Sequence, residues 1–246
     1  MPVMTARTPS PTQSGSSIPM DTTPMTWRDL SFWKSSTWKR IRQKIAETEK
    51  SEITPYRNLI FRSMIETRLQ DVRVVFLSPE PYAEYGVANG LAFSAFSSVR
   101  NGKFDLEGMP YQFQEIVREA HEDVGMATPK SGDLRKWARQ GVLLWNSRLT
   151  TITGHANGHL TFGWRELTKE VLEVCYLQNP KTVFVFFGEQ VFSGYKKVLP
   201  SDAVIFALPI PSKFTYTQER FKGSKIFSNI NHVLRQTRQK PIRWYA

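Results

Sequence analysis

Residues 132–159 read GDLRKWARQGVLLWNSRLTTITGHANGH. DLRKWARQ (133–140) has the apolar spacing of a short helix, and GVLLWNS (141–147) is a compact apolar run bounded by polar residues. A run of that length and composition reads as a strand buried on both faces. It ends on the polar loop WNSRLT (145–150).

The same unit recurs along the chain. DVRVVFLS (71–78) feeds SPEPYAEYG (78–86), TVFVFFG (182–188) feeds GEQVF (188–192), and AVIFALP (203–209) feeds LPIPSKFTYTQERFKG (208–223). Helical stretches separate these runs: the basic amphipathic WKRIRQKIAETEK (38–50), then FQEIVREAHEDV (113–124), RELTKEVLEVCYLQ (165–178) and KIFSNINHVLRQT (225–237). Short apolar strands alternating with helices predict an α/β fold. The expectation is a single domain over 26–246, with a central, mainly parallel four-stranded sheet flanked by helices on both faces. In such sheets ligands bind beyond the carboxyl ends of the strands, so the four strand-end loops are the places to seek a site.

Composition narrows the function. The 246 residues suffice for one full-sized domain, and 40% are hydrophobic. Lys and Arg number 33 against 22 Asp and Glu, a formal net charge of +11 that biases the surface towards polyanions. The single cysteine, Cys175, excludes an internal disulfide and a Cys-type metal centre. It reads as a small core residue in a reducing compartment, so the expected location is intracellular, nucleus or cytoplasm. No apolar run reaches transmembrane length and no signal-peptide pattern opens the chain. Residues 1–25 are rich in Ser, Thr and Pro and read as a disordered tail.

The strand-end loops, taken together, resemble the family 1 uracil-DNA glycosylases. The resemblance runs from about Trp27 to Trp244. SPEPY (78–82) followed by GLAFS (90–94) keeps the spacing of the family's GQDPY and GLAFS. The 132–159 block, followed by Gly163–Trp164, is similar to the family's WA-QGVLLLN-VLTV core, and FSNINHVLRQTRQKPIRW (227–244) to its C-terminal block. This resemblance implies that a deoxyuridine is flipped out of DNA into a pocket and its N-glycosidic bond hydrolysed, without metal or other cofactor.

Matched residue by residue, the base-reading side chains are kept. Asn146 matches the Asn whose carboxamide pairs with the O4 and N3–H edge of uracil. Phe93 matches the ring on which uracil stacks, and Tyr82 the ring that excludes a 5-methyl group.

The chemical positions are changed. Glu80 stands at the catalytic Asp position, one methylene longer, and an ångström of misplacement can cost about a hundredfold. Pro79 stands where a Gln backbone N–H donates to uracil O2, and proline has no N–H. Leu208 stands where the family has its second O2 donor, a histidine. No other histidine is an evident substitute: His159 matches a different family histidine, His155 lies beside it, and His121 and His232 fall on predicted helices. One lost oxyanion donor typically costs about 10²–10³ in rate.

DNA-gripping positions differ too. Ser212 replaces the family's Leu wedge, with Lys213 after it, and Glu189 puts a carboxylate in the Gly-Ser phosphate loop. The proline-rich loop is reduced to GMPYQ around Pro110. The last loop is longer and carries Lys213, Arg220, Lys222 and Lys225 with Phe214, Tyr216 and Phe221 interleaved, a mixture that suits single-stranded nucleic acid as well as a solvated loop.

Three functional expectations follow. The first is a family member that binds DNA, single-stranded or uracil-containing, and accommodates a flipped uracil with hydrolysis weak or lost. The second is an active glycosylase using Glu80 with a rebuilt site. The third is a catalytically inert fold serving as a protein-interaction or replication-accessory module. DNA is the expected partner, with a protein partner besides and no membrane.

Overall fold

The computed structural model describes residues 25–211 and 221–245. Outside them lie the N-terminal Ser/Thr/Pro-rich stretch except Met25, and Ser212, Lys213, Phe214, Tyr216 and Arg220 of the last loop. The strands among the described residues are β1 (Ile53–Thr54), β2 (Val74–Ser78), β3 (Val99–Arg100), β4 (Lys103–Phe104), β5 (Val142–Asn146), β6 (Thr151–Ile152), β7 (Val183–Phe187) and β8 (Val204–Leu208). The α-helices are α1 (Ser36–Glu47), α2 (Arg62–Glu66), α3 (Tyr111–Val124), α4 (Arg135–Ala138), α5 (Trp164–Gln178), α6 (Glu189–Tyr195) and α7 (Ile226–Gln236).

The four apolar runs form one sheet in the order β5-β2-β7-β8, parallel throughout. Two small antiparallel pairs, β1 with β6 and β3 with β4, sit apart from it. Every residue of β2, β5 and β7 is buried. The fourth run departs from the buried pattern: β8, an edge strand like β5, leaves Val204–Phe206 half-buried and Ala207 exposed.

Alternation along the strands divides the core in two. Val74, Phe76, Val142, Leu144, Val185 and Phe187 face a cluster with Trp137, Phe227 and Trp244. Val75, Leu77, Leu143, Trp145, Phe184 and Phe186 face the opposite cluster, with Ile41, Trp164 and Val171. Helices α3, α4 and α7 cover the first face; α1 and α5 cover the second.

Element ends follow local chemistry. The α1 helix begins at Ser36, two residues before the expected start, because the Ser35 hydroxyl caps the Trp38 N–H at 3.0 Å. The stretch expected to be helical over 133–140 keeps only the four-residue α4. The chain must turn at Gly141, whose φ is +89° and where a Cβ would stand 2.2 Å from the Asp71 carbonyl oxygen. Only glycine permits that crossing, and it places Val142 opposite Val74 at the start of the sheet. At α7, the Glu119 carboxylate accepts from the N–H groups of Gly223 (2.6 Å) and Lys225 (2.8 Å), and Asp123 accepts from Ser228 N–H (2.8 Å). Two carboxylates at a helix N-terminus suit its dipole. Among the described residues no helix is long and apolar enough to cross a membrane.

Phe76 sits at the centre of the first cluster, fully buried, with Phe187 at 5.3 Å and Trp244 stacked at 6.0 Å. Phe76→Ala is expected to lower the unfolding free energy by about 3–5 kcal/mol in urea denaturation; a loss below about 1 kcal/mol would contradict this packing.

Candidate functional site

Because β2 and β5 run parallel with Ser78 opposite Asn146, the loops that follow them emerge side by side. They open into a cleft of about 900 Å³, a size suited to a small ligand. Glu80, Tyr82, Phe93 and Asn146 all line it, together with Pro79, Pro110, Arg148, Asn157, Gln190 and Ile210.

Asn146 ends β5 and is 5% exposed. Its carboxamide Oδ1 is buried and has no hydrogen-bond partner among the described residues. A buried acceptor left unmatched costs about 1–3 kcal/mol, so any donor that enters the cleft is favoured at this atom.

The GLAFS segment is held against this residue. Gly90, at φ +87°, passes the Leu59 carbonyl so closely that a Cβ would lie 2.1 Å from its oxygen. The Ser63 hydroxyl reaches both the Gly90 (3.0 Å) and Leu144 (2.6 Å) carbonyls, and Arg62 binds the Asn89 carbonyl at 3.0 Å and Asp133 at 2.9 Å. Burial disfavours the Asp133 charge, yet hydrogen bonds from Arg62 and Arg135 outweigh that and hold its carboxyl below the usual value. Phe93 takes the left-handed conformation, φ +62°, unusual for a bulky residue. Its ring meets Phe187 edge-on at 4.5 Å, and its carbonyl accepts the Tyr82 hydroxyl at 2.9 Å. Burial, with Glu84 adding to it, pushes the Tyr82 phenol far above its ordinary value, so it remains a neutral donor.

Glu80 lines the cleft but is not free. Both carboxylate oxygens accept from the Asn157 N–H at 2.9 Å, and Arg148 approaches the same carboxylate at 3.3 Å. Arg148 also donates to Asn157 Oδ1 at 2.8 Å, closing a three-residue knot. Both ionic side chains are largely buried, 16% and 14% exposed. Among the described residues the charged groups lining the cleft are Glu80, Glu84 and Arg148, so Arg148 is its sole cation. Sequence reading passed over it. The signal was present, since Arg148 occupies the place of the valine in the resembled LN-VLTV block.

The remaining sequence candidates are scattered. Pro79 offers no donor, and its carbonyl accepts from Ser147 Oγ (2.8 Å) and Arg148 N–H (3.1 Å). Leu208 does not line the cleft: it is 7% exposed within the first core cluster, and Ile210 supplies the apolar wall on that side. Glu189 is exposed at the start of α6, accepting from Ser193 Oγ at 2.7 Å, and only its neighbour Gln190 reaches the cleft. Lys222 pairs with Glu122 at 3.3 Å, and exposed Lys225 stands at the entrance to α7; neither lines the cleft. Phe221, grouped by sequence with the basic loop, is buried with Phe187 6.0 Å away. None of the four histidines lines the cleft. His159 is buried, bonded to Thr150 Oγ1 at 2.8 Å and stacked on Phe162. Cys175 is buried in α5, where desolvation pushes its thiol well up. No cluster of three or more metal-ligating side chains occurs among the described residues.

Residues 66–235 match the family model described as the Uracil DNA glycosylase superfamily. A protein of a Ruegeria species named uracil-DNA glycosylase is 34% identical over 218 residues, covering 89% of this chain and 88% of that one. One of the same name from Clostridium beijerinckii is 35% identical over 204 residues, 82% of this chain and 87% of its own. Among solved structures, mimivirus uracil-DNA glycosylase superposes with a TM-score of 0.75 at 21% identity, covering 87% of this chain and 83% of that one; this likeness shows the fold.

His159 generates a prediction about pH. Burial lowers its pKa below 6.5, the Thr150 hydrogen bond opposes this, and Lys44 adds to the lowering. The unfolded chain therefore takes up a proton that the folded one refuses, and stability falls as pH drops from about 6.5 towards the lowered folded value. Urea unfolding at about pH 7.5 and pH 5 should show this loss, and His159→Gln should shrink it; an equal loss in the variant would assign the dependence to other groups.

Proposed function

Because the chain belongs to the uracil-DNA glycosylase superfamily, a family of DNA-repair glycosylases that bind DNA, we propose that its cleft takes a uracil flipped out of DNA while hydrolysis of the glycosidic bond is suppressed. The observation that carries this reading is the buried, unpartnered Asn146 Oδ1 on the cleft wall. Uracil presents a donor at N3–H and an acceptor at O4. A carboxamide answers both, and the N3–H takes up the acceptor that is otherwise unmatched. Phe93 offers a ring face fixed by its contact with Phe187, and Tyr82 a ring fixed by its bond to the Phe93 carbonyl. These supports suit stacking of the base and exclusion of a 5-methyl group.

Suppression of hydrolysis rests on three features. The Pro79 position has no N–H to give to O2, and no histidine lines the cleft. The Glu80 carboxylate, which would steady the cationic sugar and position water, is already matched by Arg148 and the Asn157 N–H. A paired carboxylate gives less electrostatic stabilisation to a developing cation than a free one does. The chain's +11 charge favours DNA in general, and the pocket adds preference for a base.

The test uses protein purified from a host lacking its own uracil-DNA glycosylase, in excess over a labelled single strand carrying one uracil. Binding should prefer uracil over the matched thymine strand, and Asn146→Ala should weaken uracil binding by about 10- to 100-fold while sparing thymine binding. Equal binding of both strands by the intact protein would sink the proposal and favour a protein-interaction role. Alkali-revealed cleavage in the same mixture should be slow. Arg148→Val frees Glu80 and should raise the single-turnover rate by about tenfold or more, an effect that Glu80→Gln removes. Fast cleavage by the unaltered protein, lost in Glu80→Gln, would instead establish a working glycosylase.

A further inference from the structure

Three large aromatic side chains stand in solvent at the rim of the cleft. Tyr56 is 38% exposed, Tyr85 56% and Phe96 45%. They come from three separate segments yet touch: Tyr56 meets Tyr85 edge-on at 5.8 Å and lies 6.1 Å from Phe96. Single exposed rings are ordinary; a contiguous set is not. Phe96 lines the cleft, three residues beyond Phe93, so the exposed rings continue the cleft wall outward.

The arrangement is built. Tyr56 follows β1, which pairs with β6, and the Thr54 hydroxyl binds the Tyr82 carbonyl at 3.2 Å. The loop carrying Tyr85 is closed by the Phe96 N–H to the Val87 carbonyl at 2.9 Å and a bridge between Ala88 and Ala95. Gly86, at φ +73°, leaves the Tyr56 hydroxyl room, since a Cβ there would lie 3.3 Å from it.

We propose that Tyr56, Tyr85 and Phe96 form a stacking platform for an unpaired nucleobase adjoining the one in the cleft, so that the protein binds single-stranded DNA through two bases at once. The occupant is a base and not a phosphate. The three rings bring no cation of their own, and the exposed Glu84 carboxylate beside Tyr85 opposes an anion. Aromatic faces accept any base, so the platform adds affinity without sequence preference. It rests on the reading that a base enters the cleft, because the neighbour is delivered by the same strand.

The experiment uses short single strands containing one 2′-fluorinated deoxyuridine, whose glycosidic bond resists hydrolysis, and 2-aminopurine at successive positions on either side. In the unaltered protein one flanking position should lose fluorescence on binding, the signature of a stacked base. Tyr85→Leu and Phe96→Leu should abolish that quench and weaken binding by about 5- to 100-fold, equally for uracil and thymine strands. Tyr85→Phe and Phe96→Tyr should restore both, which a merely structural role would not require. Unchanged urea midpoints show that the Leu variants are folded. If no position quenches, or the Leu variants bind like the unaltered protein, the platform takes no base and the proposal fails. If the quench is present but uracil is not preferred over thymine, selection of uracil by the cleft fails while stacking of a base on the platform stands.

Discussion

The register between β2 and β5 governs everything built on the sheet. Gly141 passes against the Asp71 carbonyl, Val142 then falls opposite Val74, and four residues later Asn146 falls opposite Ser78. Had the pair slipped by one residue, Trp145 and Asn146 would exchange faces, and a carboxamide would enter the core while an indole entered the cleft. The indole instead finds the Thr168 hydroxyl at 3.0 Å on the other face of the sheet. The cleft is thus a consequence of where the strands stop.

Polar residues beneath the cleft make its walls rigid. Arg62 and Ser63 tie the GLAFS loop to the backbone around it, and Ser94 Oγ accepts both the Leu134 N–H (3.0 Å) and the Asn89 amide (2.9 Å). These bonds keep Phe93 in a conformation it would not choose alone. Four of the chain's 22 carboxylates hold structure internally. Glu119 and Asp123 hold the start of α7, Asp133 holds Arg62, and Glu170 accepts the Ser31 and Phe32 N–H groups.

At the other end of the same loops the electrostatics are changed. Asn146 ends β5 and Glu80 lies two residues beyond the end of the adjacent β2, yet one carries an acceptor without a partner and the other a carboxylate with two. Arg148, two residues after Asn146, is one of the two partners of Glu80, and the Asn157 N–H is the other.

The sequence by itself determined the fold class and family. Four apolar runs with intervening helical periods admit little besides a covered parallel sheet, and SPEPY, GLAFS and the 132–159 block are short-range patterns that survive without coordinates. It also named Asn146, Phe93, Tyr82 and Glu80, because each lies within or beside such a block. What it missed depends on distance in space. Leu208 looked like a site position and is core, because β8 ends before the cleft, whereas Ile210 reaches it. Phe221 looked like part of a basic loop and is a buried anchor. The Glu80–Arg148–Asn157 knot spans 77 residues, and the Tyr56, Tyr85 and Phe96 rings come from segments that only folding brings together. Charge pairing and ring contact act over a few ångströms between residues distant in the chain, so only the tertiary structure could decide them.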